Sequence, residues 1–157
     1  MDGFDWTFIV TGFIFFVLMI IVFILMIKEN YSLLQKVGGI GFSVLLVPLF
    51  IILIDYIIVG RGFRLILFTS LIIAYLITEL LLDLVFKIEF RSKPALHIPY
   101  IVLEYAACFS YVFGTLDLDR TIGWIMSGFF WTMLIVLIYY LIKQGINKRK
   151  IKPSRQD

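Results

Sequence analysis

The sequence predicts an all-α, polytopic bundle of five transmembrane helices, on three observations. Of 157 residues, 62% are hydrophobic and 16% charged, against about half and a quarter in a soluble domain. The apolar residues gather into five runs of roughly 20 residues, the length that crosses a hydrocarbon core about 30 Å thick. The runs are apolar on both faces and about twice as long as the alternating ten-residue strands of a membrane β-barrel. Mean hydropathy is +1.04, and a water-soluble globule of this composition would aggregate.

The first run, 6–27, has almost no polar residue beyond Gly12 and reads Phe13, Ile14, Phe15, Phe16, Val17, Leu18, Met19. It is expected to face lipid or a second protein. The second, 37–59, carries Pro48 near its centre, where the missing N–H should bend the helix. Asp55 lies near its end with Arg61 and Arg64 just beyond, and a local ion pair is expected. In the third, 63–87, Tyr75, Glu79, Asp83 and Lys87 recur every four residues and share one helical face. In the fourth, 97–116, His97, Tyr100, Glu104, Cys108, Tyr111 and Thr115 advance by three or four and form a second polar stripe. Ala106, Ser110 and Gly114 recur every four residues on that run, as do Gly123 and Ser127 on the fifth, 120–143. Small residues at this spacing let helices approach closely. Ala106 lies about 200° from Glu104, so the fourth helix is expected to be the central one, with a polar face and a close-packed face. Residues 1–147 form a single transmembrane domain in this reading, and 148–157 a basic cytoplasmic tail.

An odd number of spans puts the termini on opposite sides, and Lys and Arg favour the cytoplasmic side. With the C-terminus inside, that side holds Lys28, Lys36, Lys87, Arg91, Lys93, Lys143, Lys148, Arg149, Lys150, Lys152 and Arg155. The other side holds only Arg61, Arg64 and Arg120, with Asp2, Asp5, Asp117 and Asp119. The sequence therefore predicts an N-out, C-in integral membrane protein, in the cell membrane if prokaryotic. The net charge of +3 follows from this partition, and nucleic acid is not an expected partner. The tail Lys148, Arg149, Lys150, Ile151, Lys152 is a topology anchor that could also meet anionic headgroups.

Several classes of function find no support. Cys108 is the single cysteine, which excludes an intramolecular disulfide and a thiolate metal cage. No Gly-rich phosphate loop, GxSxG elbow or CxxC pair is present, and no motif names a cofactor. The start Met1, Asp2, Gly3, Phe4, Asp5 has no basic n-region, so the first apolar run is expected to be retained. The runs share no motif at a fixed offset, which weakens a single-chain alternating-access transporter, although a homo-oligomer would restore symmetry.

Glu79, Asp83 and Glu104 remain, with His97 nearby. A carboxylate in hydrocarbon is costly and marks a functional position by default. If the two stripes face each other, Glu79 and Glu104 lie at matching depths, roughly 10–12 Å from the connection between the third and fourth helices. Two close carboxylates in a poorly solvated place do not both ionise easily. The candidate ligand-binding or proton-relay set is therefore Glu79, Asp83, Glu104, His97, Tyr75, Tyr100 and Tyr111, in an acidic cavity open to the cytoplasmic leaflet. It would bind or transport a cation, a proton or an amphipathic lipid-like ligand. Carboxylates and an imidazole also make a plausible metal shell, but their spacing is no specific metal motif. One alternative is a lipid-modifying enzyme with Glu79 or Glu104 as general acid/base. Another is a non-catalytic subunit of a larger membrane complex. The plainest alternative gives these polar residues only a packing role, with Asp83 paired to Lys87 and Glu104 bonded to Tyr75 or Thr78. The aromatic residues are expected mostly at the two membrane interfaces, Trp6 and Trp124 at one and Tyr31, Tyr139 and Tyr140 at the other. Trp131, Tyr75 and Tyr111 lie deep enough to line a cavity.

Overall fold

A computed structural model describes residues 1–28, 31–81 and 94–151. It contains helices α1 (Gly3–Ile27), α2 (Tyr31–Val59), α3 (Phe63–Leu80), α4 (Pro94–Leu118) and α5 (Arg120–Ile151). All five carry a segment long and apolar enough to cross a membrane: Gly3–Ile27, Val37–Val59, Phe63–Leu80, Ile98–Leu118 and Arg120–Lys143. Successive helices pack side by side and α5 returns to α1, so the bundle is a ring in chain order, with α1 also reaching across to α4. α2 continues as helix through Pro48.

The helix ends are set by local chemistry. Asp2 caps α1, its Oδ1 accepting from the Phe4 and Asp5 N–H groups at 3.1 and 3.0 Å while Asp5 Oδ2 accepts from the Asp2 N–H at 3.0 Å. This reciprocal box satisfies donors that a helix start otherwise leaves bare. At the other end of α1, Lys143 Nζ donates to the Ile27 carbonyl at 2.6 Å, placing a cation where the helix dipole is negative. α2 stops at Gly60, whose φ of 70° suits a residue without a Cβ. The Arg61 N–H then reaches back to the Tyr56 carbonyl at 2.9 Å and the Gly60 N–H to Ile57 at 3.3 Å, the paired bonds of a left-handed helix stop. α4 and α5 are separated only by Asp119, whose Oδ1 accepts from the Ile122 N–H at 2.9 Å.

Aromatic rings fill the axis of the ring of helices. Phe15 of α1 sits at the middle, its ring centroid 5.8 Å from Phe42, 5.9 Å from Tyr75 and 5.0 Å from Tyr111. Thus one side chain touches α2, α3 and α4. Phe16 extends the cluster to Phe130 of α5 at 6.3 Å. α1 does not face outward: half of its apolar window is buried, the largest share of the five, so α1 rather than α4 is the most enclosed helix. An unbroken apolar sequence suits a packed centre as well as lipid, and period alone does not separate the two. Trp131 is 64% exposed on α5, the least enclosed helix, and lines no interior space. Many of the aromatic residues are core, not interfacial, although Trp6, Trp124 and Tyr139 are exposed.

The close approach of α1 to its neighbours needs Gly12. A Cβ there would stand 2.8 Å from Met126 Cε and 2.9 Å from Tyr111 Cδ1, whereas one on Gly128 would meet nothing within 4 Å. Gly12→Ala should therefore lower stability in detergent by about 1–3 kcal/mol through overpacking. Gly128→Ala should be neutral or gain up to about 1 kcal/mol from helix propensity. Thermal unfolding of the two variants side by side checks this, and equal effects would contradict the packing described.

Candidate functional site

The stripes on α3 and α4 meet inside the bundle. Tyr75 and Glu79 lie one turn apart on α3, and Tyr100 reaches them from α4. The Tyr100 hydroxyl donates to Glu79 Oε2. The Tyr75 and Tyr100 hydroxyls are 3.3 Å apart, and Tyr75 Oη is 3.7 Å from Met19 Sδ of α1. Each phenol has one proton, so with Tyr100 donating to Glu79 the Tyr75 proton is shared between the Tyr100 oxygen and the Met19 sulfur. The result is a directed chain, Tyr75 to Tyr100 to Glu79, with the Met19 sulfur as a soft contact at its far end.

This chain is enclosed. Glu79 is 5% exposed, Tyr100 9% and Tyr75 not at all. The Tyr75 and Tyr100 rings, 5.9 Å apart, pack together beside the carboxylate. Burial of this kind is tolerable because the hydroxyl supplies the bond that water otherwise would, and a hydrogen bond to a charged group is worth about 1.5–3 kcal/mol. Glu104, one turn beyond Tyr100 on α4, is half-buried and close enough to both hydroxyls to act on them electrostatically. Cys108 follows one turn further, fully buried. Thr78 bonds its own helix, Oγ1 to the Ala74 carbonyl at 2.8 Å. The side chain of His97 and the whole of Asp83 lie outside the described residues, so neither their expected place at the mouth nor an Asp83–Lys87 pair is described. Among the described residues no group of three or more His, Cys, Asp or Glu is placed to share a metal ion.

Tyr111 belongs to a different neighbourhood. It is fully buried against Phe8, with centroids 5.4 Å apart, and Phe15, in the half of the bundle nearer the N-terminal end of α1. Its hydroxyl faces the Thr11 hydroxyl of α1 without making a well-formed hydrogen bond, and Thr115 Oγ1 one turn along bonds no described group.

A further polar cluster, at the N-terminal end of α1, escapes the sequence reading. Arg61 does not pair with Asp55. Its Nη2 donates to Asp2 Oδ2 and, at 3.1 Å, to Asp5 Oδ2, while Tyr56 donates to Asp5 Oδ1 at 3.3 Å. Asp5 is 1% exposed, so these bonds replace its hydration. Asp55 is left with Oδ2 buried and unbonded, and Arg64 stands 4.0 Å from Asp117 in a largely exposed pair. The reason for the correction is geometric: the helix stop at Gly60 carries Arg61 back over α1. The spacing of Asp2 and Asp5, a capping box before an apolar run, was the available signal.

Comparison with protein-family models, with curated proteins and with solved structures gave no match.

The Asp5 N–H, with the Arg61 guanidinium, holds the Asp2 carboxyl below the usual carboxylate range, and both carboxylates hold Arg61 above its ordinary value. A carboxyl lowered on folding contributes stability above its unfolded pKa, about 3.9, and loses it as pH falls through the folded value. Asp2→Asn should therefore be less stable than wild type at neutral pH, with the gap closing below about pH 4. Denaturation midpoints across pH 3–7 check this, and a gap independent of pH would contradict it.

Proposed function

We propose that this chain is a multi-pass membrane protein that takes up and releases a proton at Glu79, with Tyr100 and Tyr75 as the hydroxyl relay and Glu104 as the neighbouring charge. The single observation that carries the reading is the buried Tyr75–Tyr100–Glu79 chain. A carboxylate enclosed among apolar helices is costly, up to about 2.5–3.5 kcal/mol at the centre of a span on insertion scales, and is by default functional. Helix packing alone is a weak reason to keep it, since polar contacts between membrane helices average about 0.6 kcal/mol.

Among the ligands that suit an acidic site, a proton fits this geometry best. A cation at Glu79 would have to displace the Tyr100 donor, and a lipid headgroup would need open space where two buried rings pack. A proton needs neither. Five apolar helices are compatible with the membrane setting. The N-out, C-in orientation is supported by the eleven-to-three partition of Lys and Arg. In that orientation Glu79 lies in the cytoplasmic half, and the Asp5–Arg61–Tyr56 cluster closes the outer end.

Infrared difference spectroscopy of the reconstituted protein, stepped across pH, tests the reading directly. The wild type should show a carboxyl band that appears on acidification and is absent from Glu79→Gln, whose amide still accepts from Tyr100 and keeps the fold. An identical set of carboxyl bands in both proteins would remove Glu79 as the proton site.

A further inference from the structure

Buried serine and threonine hydroxyls in this bundle are satisfied by their own helices. Thr69, Ser70, Ser110 and Ser127 each donate to the carbonyl four residues back, and Thr11 to the carbonyl three residues back, at 2.7–2.9 Å. Thr115 departs from this pattern. It is fully buried, and its Oγ1 bonds neither its helix nor any other described group. One turn away the Tyr111 hydroxyl is equally buried; it faces the Thr11 hydroxyl of α1, whose own proton goes to the Phe8 carbonyl, and makes no well-formed hydrogen bond. Leaving a hydroxyl buried without a partner costs about 1–3 kcal/mol, so Thr115, and Tyr111 beyond its loose contact with Thr11, call for a further partner. A water molecule is of the right size and valence, since buried waters take two to four polar contacts.

The position of these hydroxyls gives them a further meaning. Tyr100, Glu104, Tyr111 and Thr115 lie within about 60° of one another around α4 and extend along it for roughly 22 Å. They form one interior polar face covering most of the apolar thickness. Helix α1 gives the order of contacts along the same axis. Met19 stands at the Tyr75 hydroxyl, Phe15 is next, and Gly12 packs on the Tyr111 ring. Phe15 thus separates the two polar groups, with its ring in contact with both tyrosines. Met19 and Gly12 are seven residues apart, about 10 Å, which is three or four hydrogen-bond lengths of about 2.8 Å.

We propose that Tyr111 and Thr115 hold water in the half of the bundle nearer the N-terminal end of α1, and that with Tyr75, Tyr100 and Glu79 they form a proton path along α4 that Phe15 interrupts. The path rests on the reading of Glu79 as a proton acceptor and extends it to the opposite side of the bundle. In each transfer an oxygen accepts a proton on a lone pair and gives up the one it carried. The net step carries one excess proton, entering from bulk water at the Tyr111 end, to the Glu79 carboxylate; the water at Tyr111 passes one proton on as it receives another, so it and every hydroxyl end neutral. Phe15 must move, or water must pass it, for the two halves to connect.

Two measurements test the proposal. Water-edited solid-state NMR of the wild type in bilayers should show magnetisation passing from water to the Tyr111 and Thr115 side chains and not to Phe15. No transfer to either hydroxyl residue overturns the water site, whatever the behaviour of Glu79. Proton flux into liposomes containing Phe15→Ala should exceed wild type by tenfold or more, and adding Glu79→Gln or Tyr111→Phe should return it to the wild-type level. Phe15→Leu, which preserves more packing, serves in its place if Phe15→Ala does not elute as a folded species. Unchanged flux overturns the path, as does a raised flux that persists without Glu79. If the Glu79 infrared band is present while flux fails to rise, the proton site stands and only the path falls. If the band itself is absent, the earlier reading falls first.

Discussion

Hydrocarbon offers no hydrogen bonds, so a polar group enclosed by apolar helices is costly unless the protein, or a water it holds, supplies a partner. That constraint organises the bundle at every level. It makes the backbone helical, turns buried serines and threonines onto their own carbonyls, and sets Arg61 and Tyr56 around the carboxylate of Asp5. It also explains why Glu79 is met by a tyrosine and that tyrosine by another. The apolar surroundings that make a buried carboxylate costly also give weight to the Tyr100 hydroxyl that donates to it.

The aromatic centre links the parts. Phe15 reaches α2, α3 and α4, and Gly12 allows α1 to lie against Tyr111 and Met126. Without a strong hydrophobic drive between helices in lipid, contact of this kind and close approach at small residues hold such a bundle together. The rings therefore position the polar chain: Tyr75 is clamped between Phe15 and Phe42 while its hydroxyl faces Tyr100. Packing and the polar chain use the same residues.

Much of this was legible in the sequence, for reasons that particular residues make plain. The four-residue spacing of Tyr75 and Glu79, and of Tyr100 and Glu104, fixes a helical face whatever the tertiary structure, so the meeting of the two stripes could be anticipated. The role of α1 could not, because an apolar sequence is the same at a packed centre and at a lipid face. Trp131 shows a related limit: its depth follows from counting residues, but the direction of its ring depends on the rotation of α5. Arg61 and Asp5 are 56 positions apart, and only the order of helices around the ring brings them together. The unbonded state of Thr115 depends on a side-chain rotamer, on which the sequence is silent.

The central claim is that Glu79 changes protonation under the control of Tyr100. Carbon-13 NMR of glutamate-labelled protein in bilayers measures it directly, with the Glu79 carboxyl resonance assigned by its loss in Glu79→Gln. The resonance should move with pH in the wild type, with a midpoint displaced in Tyr100→Phe. A resonance fixed across the accessible pH range, or a titration untouched by removal of the Tyr100 hydroxyl, would contradict it.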